Sequence, residues 1–407
     1  MWAKYAKIFY LGTLLMTEER ERAIWDLYGS LSLYTLLKLN QSLFSQTKNA
    51  TDSSNINQAL QFNSATDRSK NYVQLPISSA VPAPKAYRCC TRNKPDFVEV
   101  IDKQSKGIIP RKQNHVDPIL LKEAYKGCQK ICAQHATSYY LGSLLLTEER
   151  KRAIWALYAW GHRTDELVDG ENAHLTGSTV LDSWENRVED IFDGRPHDIL
   201  DTALADTVQQ FSLDIKPFKD LIKGMRMDTW KTRYENDEEL ELYCYYVAGT
   251  VGLMTVPIIG ISPEYVSSAQ SIYKAAISMG IGDQLTNILR DVVEDSLLER
   301  VYLPQDELRE FGMTDKDIFW KNVTEEWREF IKKQIMRARY YYDQAEQGIS
   351  RLDSASRWPV WASMMLYRAN LDKIESNNYD NLTKRARVGR AEKLLTLPLA
   401  YAKAMGW

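Results

Sequence analysis

The chain has 407 residues, of which 44% are hydrophobic and 26% charged, and its formal net charge is −2. This composition is typical of a globular protein, and the length fits one large domain or two to three ordinary ones. The near-neutral charge argues against a nucleic-acid partner bound through bulk electrostatics. Five cysteines are too few for a disulfide framework. No run of about 18 apolar residues occurs, which predicts that no helix spans a membrane.

The N-terminus carries a segment that returns later in the chain. The sequence from Tyr10 to Arg20 recurs almost unchanged from Tyr140 to Arg150. The first copy ends at Ser30, before any counterpart of the acidic residues that follow the second copy. We interpret residues 1–30 as a partial duplicate of the helix at 131–160. A partial gene duplication or an imperfect gene model explains it more simply than a second functional unit.

Residues 31–117 differ in composition from the rest of the chain. Between Ser30 and Asn93 the chain is rich in Ser, Thr, Asn and Gln, and its only acidic residues are Asp52 and Asp67. A segment of this kind cannot bury enough apolar surface to fold alone, and transit peptides are similarly Ser-rich and acid-poor. It stands behind an acidic helix rather than at the N-terminus. We expect residues 95–117 to form an irregular linker.

From Pro118 onward the chain predicts one helix after another, with apolar residues at spacings of three and four. Runs with the alternating pattern of a β-strand are nearly absent. The sequence therefore predicts a single all-α domain over residues 118–404. The predicted helices are Leu120–Tyr140, Glu148–Val168, Ser183–Phe192, Ile199–Phe211, Lys216–Arg233, Asp237–Val251, Pro263–Arg290, Val323–Leu352 and Pro359–Ser376.

The helix predicted from Glu148 ends in an acidic row. Asp165, Glu166 and Asp169 place three carboxylates within five residues. Residues four apart on a helix are rotated by about 40°, so Asp165 and Asp169 share one face, which continues back through His162 and Tyr158. Such a row is unfavourable near a core unless a cation neutralises it. The alternative is a solvated helix face, and for this row alone the two interpretations are equally good.

A second row lies far along the chain, at Gln284, Asn287, Asp291 and Asp295. Its spacings of three, four and four also place the side chains on one helix face. Amides beside carboxylates favour a ligand site over a solvated face, because amide oxygens complete a ligand shell. Two acidic faces on two helices predict the two walls of a cleft in which Mg²⁺ grips a diphosphate.

Basic and small residues stand near the two rows. Arg163, Arg290 and Arg300 have the planar donor fork that recognises phosphate, although each is equally explained by an ordinary ion pair. The apolar stretch Tyr243–Gly252 contains small residues at its end. Small residues permit close helix packing and also leave a slot for a long flat chain, and the two interpretations are compatible.

These residues stand in longer motifs that resemble the squalene/phytoene synthase family, and within it the phytoene synthases of plants. The resemblance covers residues 118–404, and the motifs occur in the same order. They are Arg163-Thr-Asp-Glu-Leu-Val-Asp169, Tyr243-Cys-Tyr-Tyr-Val-Ala-Gly-Thr-Val-Gly252, Gln284-Leu-Thr-Asn-Ile-Leu-Arg-Asp291, Arg300-Val-Tyr-Leu-Pro-Gln-Asp-Glu-Leu308, Ala355-Ser-Arg-Trp-Pro-Val-Trp-Ala362 and Leu397-Pro-Leu-Ala-Tyr-Ala-Lys403.

The resemblance implies an isoprenoid-synthase-type helical fold with a central cavity. It implies a prenyltransferase that joins two geranylgeranyl diphosphates head to head, through prephytoene diphosphate, to phytoene. It also implies Mg²⁺ or Mn²⁺ as the metal, no NADPH, and a place in carotenoid biosynthesis in plastids. Peripheral membrane contact and a geranylgeranyl diphosphate synthase as partner are implied as well.

The resemblance also assigns roles to residues of this chain. Catalytic roles fall on Asp165, Asp169, Asp291, Asp295 and Tyr243. Metal ligation falls on Asp165, Glu166, Asp169, Asp291, Glu294 and Asp295. Substrate binding falls on Ser138, Tyr158, His162, Arg163, Gln284, Asn287, Arg290, Arg300, Tyr367 and Arg385.

Several positions depart from the pattern of the family. His162 stands where an arginine contacts diphosphate, and a neutral histidine offers one donor and little charge. Thr137 replaces a lysine that the first copy keeps as Lys7, and Trp230 stands where a cation is usual. A basic loop, Arg-Arg-Gly-Arg, becomes Leu297-Leu-Glu-Arg300, and Val293 replaces a glycine.

The lost cations leave a second hypothesis beside the active enzyme. In it the chain is a catalytically weakened paralogue that binds prenyl diphosphate, or partner enzymes, without efficient turnover. A third possibility, squalene synthase activity, predicts NADPH-dependent product from farnesyl diphosphate.

Overall fold

The computed structural model describes residues 95–105, 116–170 and 178–406, and within these ranges the regular structure is helical, without a β-strand. The predicted all-α fold is confirmed. The α-helices are α1 (Pro95–Ser105), α2 (Pro118–His135), α3 (Thr137–Ser143), α4 (Glu148–Asp169), α5 (Ser178–Phe192), α6 (Ile199–Gln210), α7 (Lys216–Asp228), α8 (Asp237–Cys244), α9 (Thr250–Ile259), α10 (Ala269–Arg290), α11 (Val292–Leu297), α12 (Gln305–Glu310), α13 (Asp315–Phe319), α14 (Glu325–Ile349), α15 (Ser354–Ser376) and α16 (Arg390–Ala404).

Helix α10 is the centre of the bundle. Twelve of its 22 residues are buried, and they lie on all sides of the helix, as expected of a helix surrounded by others. It packs along α14 and also contacts α9 and α15. A hydroxyl pair, Thr286 and Tyr342, joins α10 to α14 at 3.0 Å in the interior. The C-terminal end of α10 carries the second predicted acidic row, so the central helix positions half of the site.

Several predicted helices have different boundaries in the structure. The run from Pro263 begins as a 3₁₀ helix, Pro263–Ser268, before α10. The run from Leu120 divides at Ala136, whose φ of −135° and ψ of 65° separate α2 from α3. The run from Lys216 ends at Asp228, because the residues after it pair with a later segment through the bond from the Val301 N–H to the Thr232 carbonyl. The run from Asp237 is interrupted by one π-helical turn, Tyr245–Gly249.

The expectation of an irregular linker is wrong for residues 95–105, which form α1. Val100 and Ile101 are buried, and α1 contacts α10, so tertiary burial stabilises this short helix. The duplicated segment at 1–30 and the transit-like segment up to residue 94 lie outside the described residues.

One helical run, Asp237–Ile259, is long and apolar enough to cross a membrane by length and composition, contrary to the sequence-based expectation that no helix would be. In its most apolar stretch 56% of the residues are buried inside the fold, as in the core helix of a globular protein. Its residues Val247 and Val251 pack against a core cluster of buried side chains.

Candidate active site

The two predicted acidic rows meet around Arg300. Asp165 and Asp169 end α4, whereas Asp291 lies between α10 and α11 and Asp295 lies within α11. Arg300 donates from Nη1 to Oδ1 of Asp169 at 2.5 Å, and its backbone N–H donates to the carbonyl of Asp295 at 3.0 Å. A single arginine therefore links the two walls of the cleft.

The crowding of these carboxylates changes their titration. Burial, followed by the charges of Asp169 and Glu166, raises the pKa of Asp165 to about 6, although Arg300 opposes the rise. Burial and the charge of Asp291 raise the pKa of Asp295 to about 7, again against Arg300. Raised pKa values mean that the ionised form of each carboxylate is disfavoured, first by burial and then by its acidic neighbours. A further cation in the cleft would stabilise them.

Two more arginines hold Asp291. Arg290 donates from Nε and Nη2 to its two carboxylate oxygens at 2.9 and 2.5 Å. Arg385 donates to Asp291 at 2.6 Å and pairs with Glu294 at 2.9 Å. The second wall thus carries two guanidinium groups whose fork geometry also suits phosphate oxygens.

A cavity of about 930 Å³ opens beside the cleft. Its polar end gathers most of the residues to which the resemblance assigns substrate binding. These are Tyr158, His162, Gln284, Asn287, Arg290, Tyr367 and Arg385, together with Asp165. The rest of its wall is mainly apolar and comes from several helices, including Leu157, Val251, Met254, Met279, Ile349 and Leu366.

The small residues on both sides of the cavity pack closely. A Cβ added to Gly252 would clash with the carbonyl of Ala276, and one added to Gly280 would clash with the carbonyl of Ala248. Both glycines also line the cavity. Both interpretations of the small residues after Tyr243 therefore hold, because they allow close helix packing and they border the space.

Two basic residues of α4, His162 and Arg163, lie in different environments. The His162 ring lies 4.1 Å from the ring of His135, and burial together with the charge of His135 lowers the pKa of His162. His162 is therefore neutral near pH 7. Arg163 does not join the cleft, because its guanidinium donates to Asp198 and Asp201 at 2.6 and 3.0 Å and covers the ring of Trp184. Its contacts tie α4 to α5 and α6.

Two predicted residues occupy other surroundings. Tyr243 is buried outside the cavity lining and donates its hydroxyl to Asp228 at 3.0 Å. Ser138 belongs to α3, but its side chain, like that of Thr137, lies outside the described part of the chain.

Sequence reasoning missed two acidic residues, Asp228 and Asp283. Asp228 accepts hydrogen bonds from the hydroxyls of Tyr243 and Tyr302, and burial plus the charge of Asp169 raises its pKa to about 7. Asp283 lines the cavity, and burial raises its pKa to about 7 against a hydrogen bond from Tyr342 at 2.9 Å. Asp283 could have been found from the sequence, because it stands next to Gln284 on the helix that carries the second row.

The donors at the cleft fit a hard divalent cation. In the described ranges no three acidic, His or Cys side chains already converge as a closed metal site. One carboxylate of each row, Asp169 and Asp291, is instead held by arginines. The amide oxygen Oδ1 of Asn287 is buried and accepts no hydrogen bond from any described residue. Oxygen donors, excess negative charge and an unused buried acceptor together suit Mg²⁺ with a phosphate-bearing ligand.

Comparisons of sequence and of structure with known proteins point to one family. The sequence model of squalene/phytoene synthase matches residues 132–392. Phytoene synthase 2, chloroplastic, of Solanum lycopersicum is 59% identical over 286 residues, which cover 70% of this chain and 92% of that protein. Phytoene synthase, chloroplastic, of Narcissus pseudonarcissus is 59% identical over 287 residues, 70% of this chain and 68% of that protein. A solved dehydrosqualene synthase in complex with ligand is 26% identical with a TM-score of 0.65, covering 72% of this chain and 100% of that chain.

Proposed function

The chain belongs to the squalene/phytoene synthase family, and we propose that it synthesises phytoene from two geranylgeranyl diphosphates. The two substrates join head to head with loss of one diphosphate, which gives prephytoene diphosphate. This intermediate loses the second diphosphate and a proton to give phytoene. The reaction is a prenyl transfer and uses no NADPH. The protein acts in plastids, since relatives with 59% identity are named as chloroplastic phytoene synthases.

The observation that carries this proposal is that one cavity has both a polar end and an apolar wall. A prenyl diphosphate has a charged head and a long apolar chain, and the cavity of about 930 Å³ offers both environments in one space. The head would lie near Asp165, Asn287 and Arg290, and the chain would run along the apolar wall. An apolar wall would exclude water and so would protect an allylic cation after the diphosphate leaves.

The arginines of the cleft would bind the diphosphate. Arg290, Arg300 and Arg385 already pair with carboxylates, so their donor forks are oriented in the cleft before substrate arrives. Preorganised donors of this kind stabilise the charge that develops on a departing diphosphate. Buried Asp228, held by the hydroxyls of Tyr243 and Tyr302, backs Arg300 with a further negative charge. Tyr243 thereby positions Arg300 through Asp228.

Mg²⁺, or Mn²⁺ in its place, would be held by the carboxylates of the two rows. The residues involved are Asp165, Glu166, Asp169, Asp291, Glu294 and Asp295. When bound, the metal acts as a Lewis acid that neutralises diphosphate charge. Because the substrate has a long apolar chain and the product is a hydrocarbon, we also propose peripheral membrane contact. We further propose that a geranylgeranyl diphosphate synthase supplies the substrate.

A product assay tests the proposal. The full chain is incubated with geranylgeranyl diphosphate and Mg²⁺, and phytoene is measured by chromatography. We expect phytoene with the wild type and with Asp343→Asn, a control at an exposed position on α14. We expect none after chelation or with Asp165→Asn or Asp295→Asn. Wild-type protein with an intact helical signal but no phytoene would overturn the proposal, and NADPH-dependent squalene from farnesyl diphosphate would replace it with squalene synthase activity.

The weakened paralogue is kept as a second candidate because of His162. The polar end of the cavity has a neutral imidazole where the resemblance expects an arginine. Binding of geranylgeranyl diphosphate with turnover near background would favour this candidate over the active enzyme.

A further inference from the structure

Large apolar side chains collect on one part of the surface. Among the described residues, twelve large hydrophobic side chains are exposed, and five of them come from three short segments around α7, α11 and α13. We call these five the rim patch, and their exposed fractions lie between 41% and 77%. The rim patch consists of Trp230, Leu297, Leu298, Phe319 and Trp320.

Arg233 brings the three segments together. Its guanidinium donates to the carbonyl of Glu299 and to the carboxylate of Asp315, both at 2.5 Å, and it faces the ring of Phe319 at 5.9 Å. Its backbone pairs with Val301 in an isolated bridge. Helices α11 and α13 also pack against each other. The five side chains therefore belong to one continuous surface, whose three segments are fixed to one another, rather than to three independent loops.

The rim patch borders the acidic cleft. Trp230 follows Asp228 by two residues, Leu297 follows Asp295 by two, and Leu298 precedes Arg300 by two. None of the five side chains lines the cavity. They project outward, therefore, beside the residues that would hold the diphosphate.

The basic residues around the rim patch divide into paired and exposed ones. Residues 229–233, 296–300 and 314–321 hold five of them, and Lys231, Arg233 and Arg300 pair with Glu239, Asp315 and Asp169. Two of these basic residues, Lys316 and Lys321, are exposed and flank Trp320. Exposed apolar and aromatic side chains flanked by lysines are the composition that lies in a membrane interface and attracts anionic headgroups.

We propose that the rim patch docks this enzyme on the surface of an anionic bilayer and so sets the diphosphate cleft at the level of the lipid headgroups. A prenyl diphosphate dissolved in a bilayer presents its charged head at that level, so the substrate would enter without crossing water. The membrane as occupant rests on the proposed function, because that function makes the substrate a lipid. A bilayer suits protruding side chains, whereas a partner helix would need a groove to receive it.

Vesicle binding tests the proposal without substrate. The full chain is mixed with phosphatidylcholine vesicles, with and without phosphatidylglycerol, and the bound fraction is measured by flotation. The patch variant is Trp230→Ser/Leu298→Ser/Trp320→Ser. The matched control, Ile119→Ser/Val266→Ser/Met336→Ser, removes three exposed apolar side chains elsewhere. All six positions are exposed, so both variants should fold, which the helical signal checks.

We expect the partition coefficient of the patch variant to fall by about tenfold or more, and that of the control to stay near wild type. Phosphatidylglycerol should strengthen wild-type binding, and added salt should weaken that gain. Equal binding by the patch variant and wild type, or no wild-type binding, would overturn the proposal. So would an altered oligomeric state of the patch variant with unchanged vesicle binding, which would mark a protein interface. Phytoene formation in detergent micelles tests the proposed function separately from docking. If no phytoene forms in micelles, the proposed function fails, whereas the vesicle-binding result still decides the docking proposal.

Discussion

Asp283 offers a quantitative test of the burial inside the cavity. Its carboxylate lies on the central helix α10, faces the cavity, and accepts a hydrogen bond from the hydroxyl of Tyr342 at 2.9 Å. Burial is the main cause that raises its pKa from 3.8 to about 7, and the Tyr342 bond only partly opposes it. We expect Asp283→Asn to stabilise the protein, because the amide oxygen still accepts the Tyr342 hydrogen bond and carries no charge.

The magnitude follows from the two titration points. The unfolded carboxyl titrates near pH 4 and the folded one near pH 7, so the ionised group destabilises the fold by roughly 4 kcal/mol above pH 7. Because the folded pKa is raised, this destabilisation is absent below about pH 4 and grows as the pH rises through that interval. Asp283→Asn should therefore gain stability by up to about 4 kcal/mol at pH 8 and by only about 1.5 kcal/mol at pH 5.

Urea unfolding followed by circular dichroism at both pH values measures this difference, with exposed Asp343→Asn on α14 as the control. The control should change the unfolding free energy little at either pH. A gain for Asp283→Asn that is the same at pH 5 and pH 8 would refute the reasoning, since only a titrating charge makes the gain depend on pH. A loss at both values would show that the carboxylate makes an interaction that an amide cannot.

Three further substitutions have defined outcomes. We expect His162→Arg to raise kcat/KM for geranylgeranyl diphosphate by about tenfold or more, since it adds a charge-assisted contact at the polar end of the cavity; an unchanged value would show that no phosphate oxygen reaches residue 162. We expect Arg300→Gln to lower the unfolding free energy by about 3 kcal/mol at pH 8, because the carboxylates of both walls lose their shared partner; Mg²⁺ should restore part of it, and urea unfolding with and without the metal checks this. We expect Glu299→Gly to raise the thermal midpoint through a gain of about 0.5–1 kcal/mol, because Glu299 has φ of +57°; a lower midpoint would contradict that account.

The sequence was sufficient to predict which acidic and amide residues share a helix face, because helical spacing is a local property. Asp165 and Asp169 share a face wherever α4 lies, and the same holds for Gln284 and Asn287 on α10. The meeting of the two walls was a hypothesis from charge alone, and the structure joins them through Arg300. That bond spans 131 residues of sequence, so no local pattern contains it.

The residues that were missed depend on tertiary surroundings. Asp228 and Asp283 are single acidic residues without a spaced partner, and their raised pKa values arise from burial by other helices. The contacts of Arg163 could not be predicted either, because Asp201 lies on α6 and Asp198 caps the N-terminus of that helix. The break at Ala136 has no Gly or Pro to mark it, and the helical residues 95–105 owe their order to burial against α10. Each case is decided by packing between elements rather than by periodicity within one.

The positions that depart from the family fall into two structural groups, and this bears on the weakened-paralogue hypothesis. Trp230, Leu297 and Leu298 are exposed and do not line the cavity. The cations expected at those positions are therefore missing from the surface beside the cleft.

The cleft itself keeps Arg290, Arg300 and Arg385 on its carboxylates. Of the departures whose side chains the structure describes, His162 is the one that lines the cavity. One missing charge-assisted contact corresponds to about 1.5–3 kcal/mol, or roughly ten- to 150-fold in kcat/KM. A deficit of that size slows an enzyme without abolishing its activity, so the structure favours a slow phytoene synthase over a chain that only binds. The exposed departures lie in the rim patch, so the docking that we propose predicts that they change vesicle binding rather than turnover.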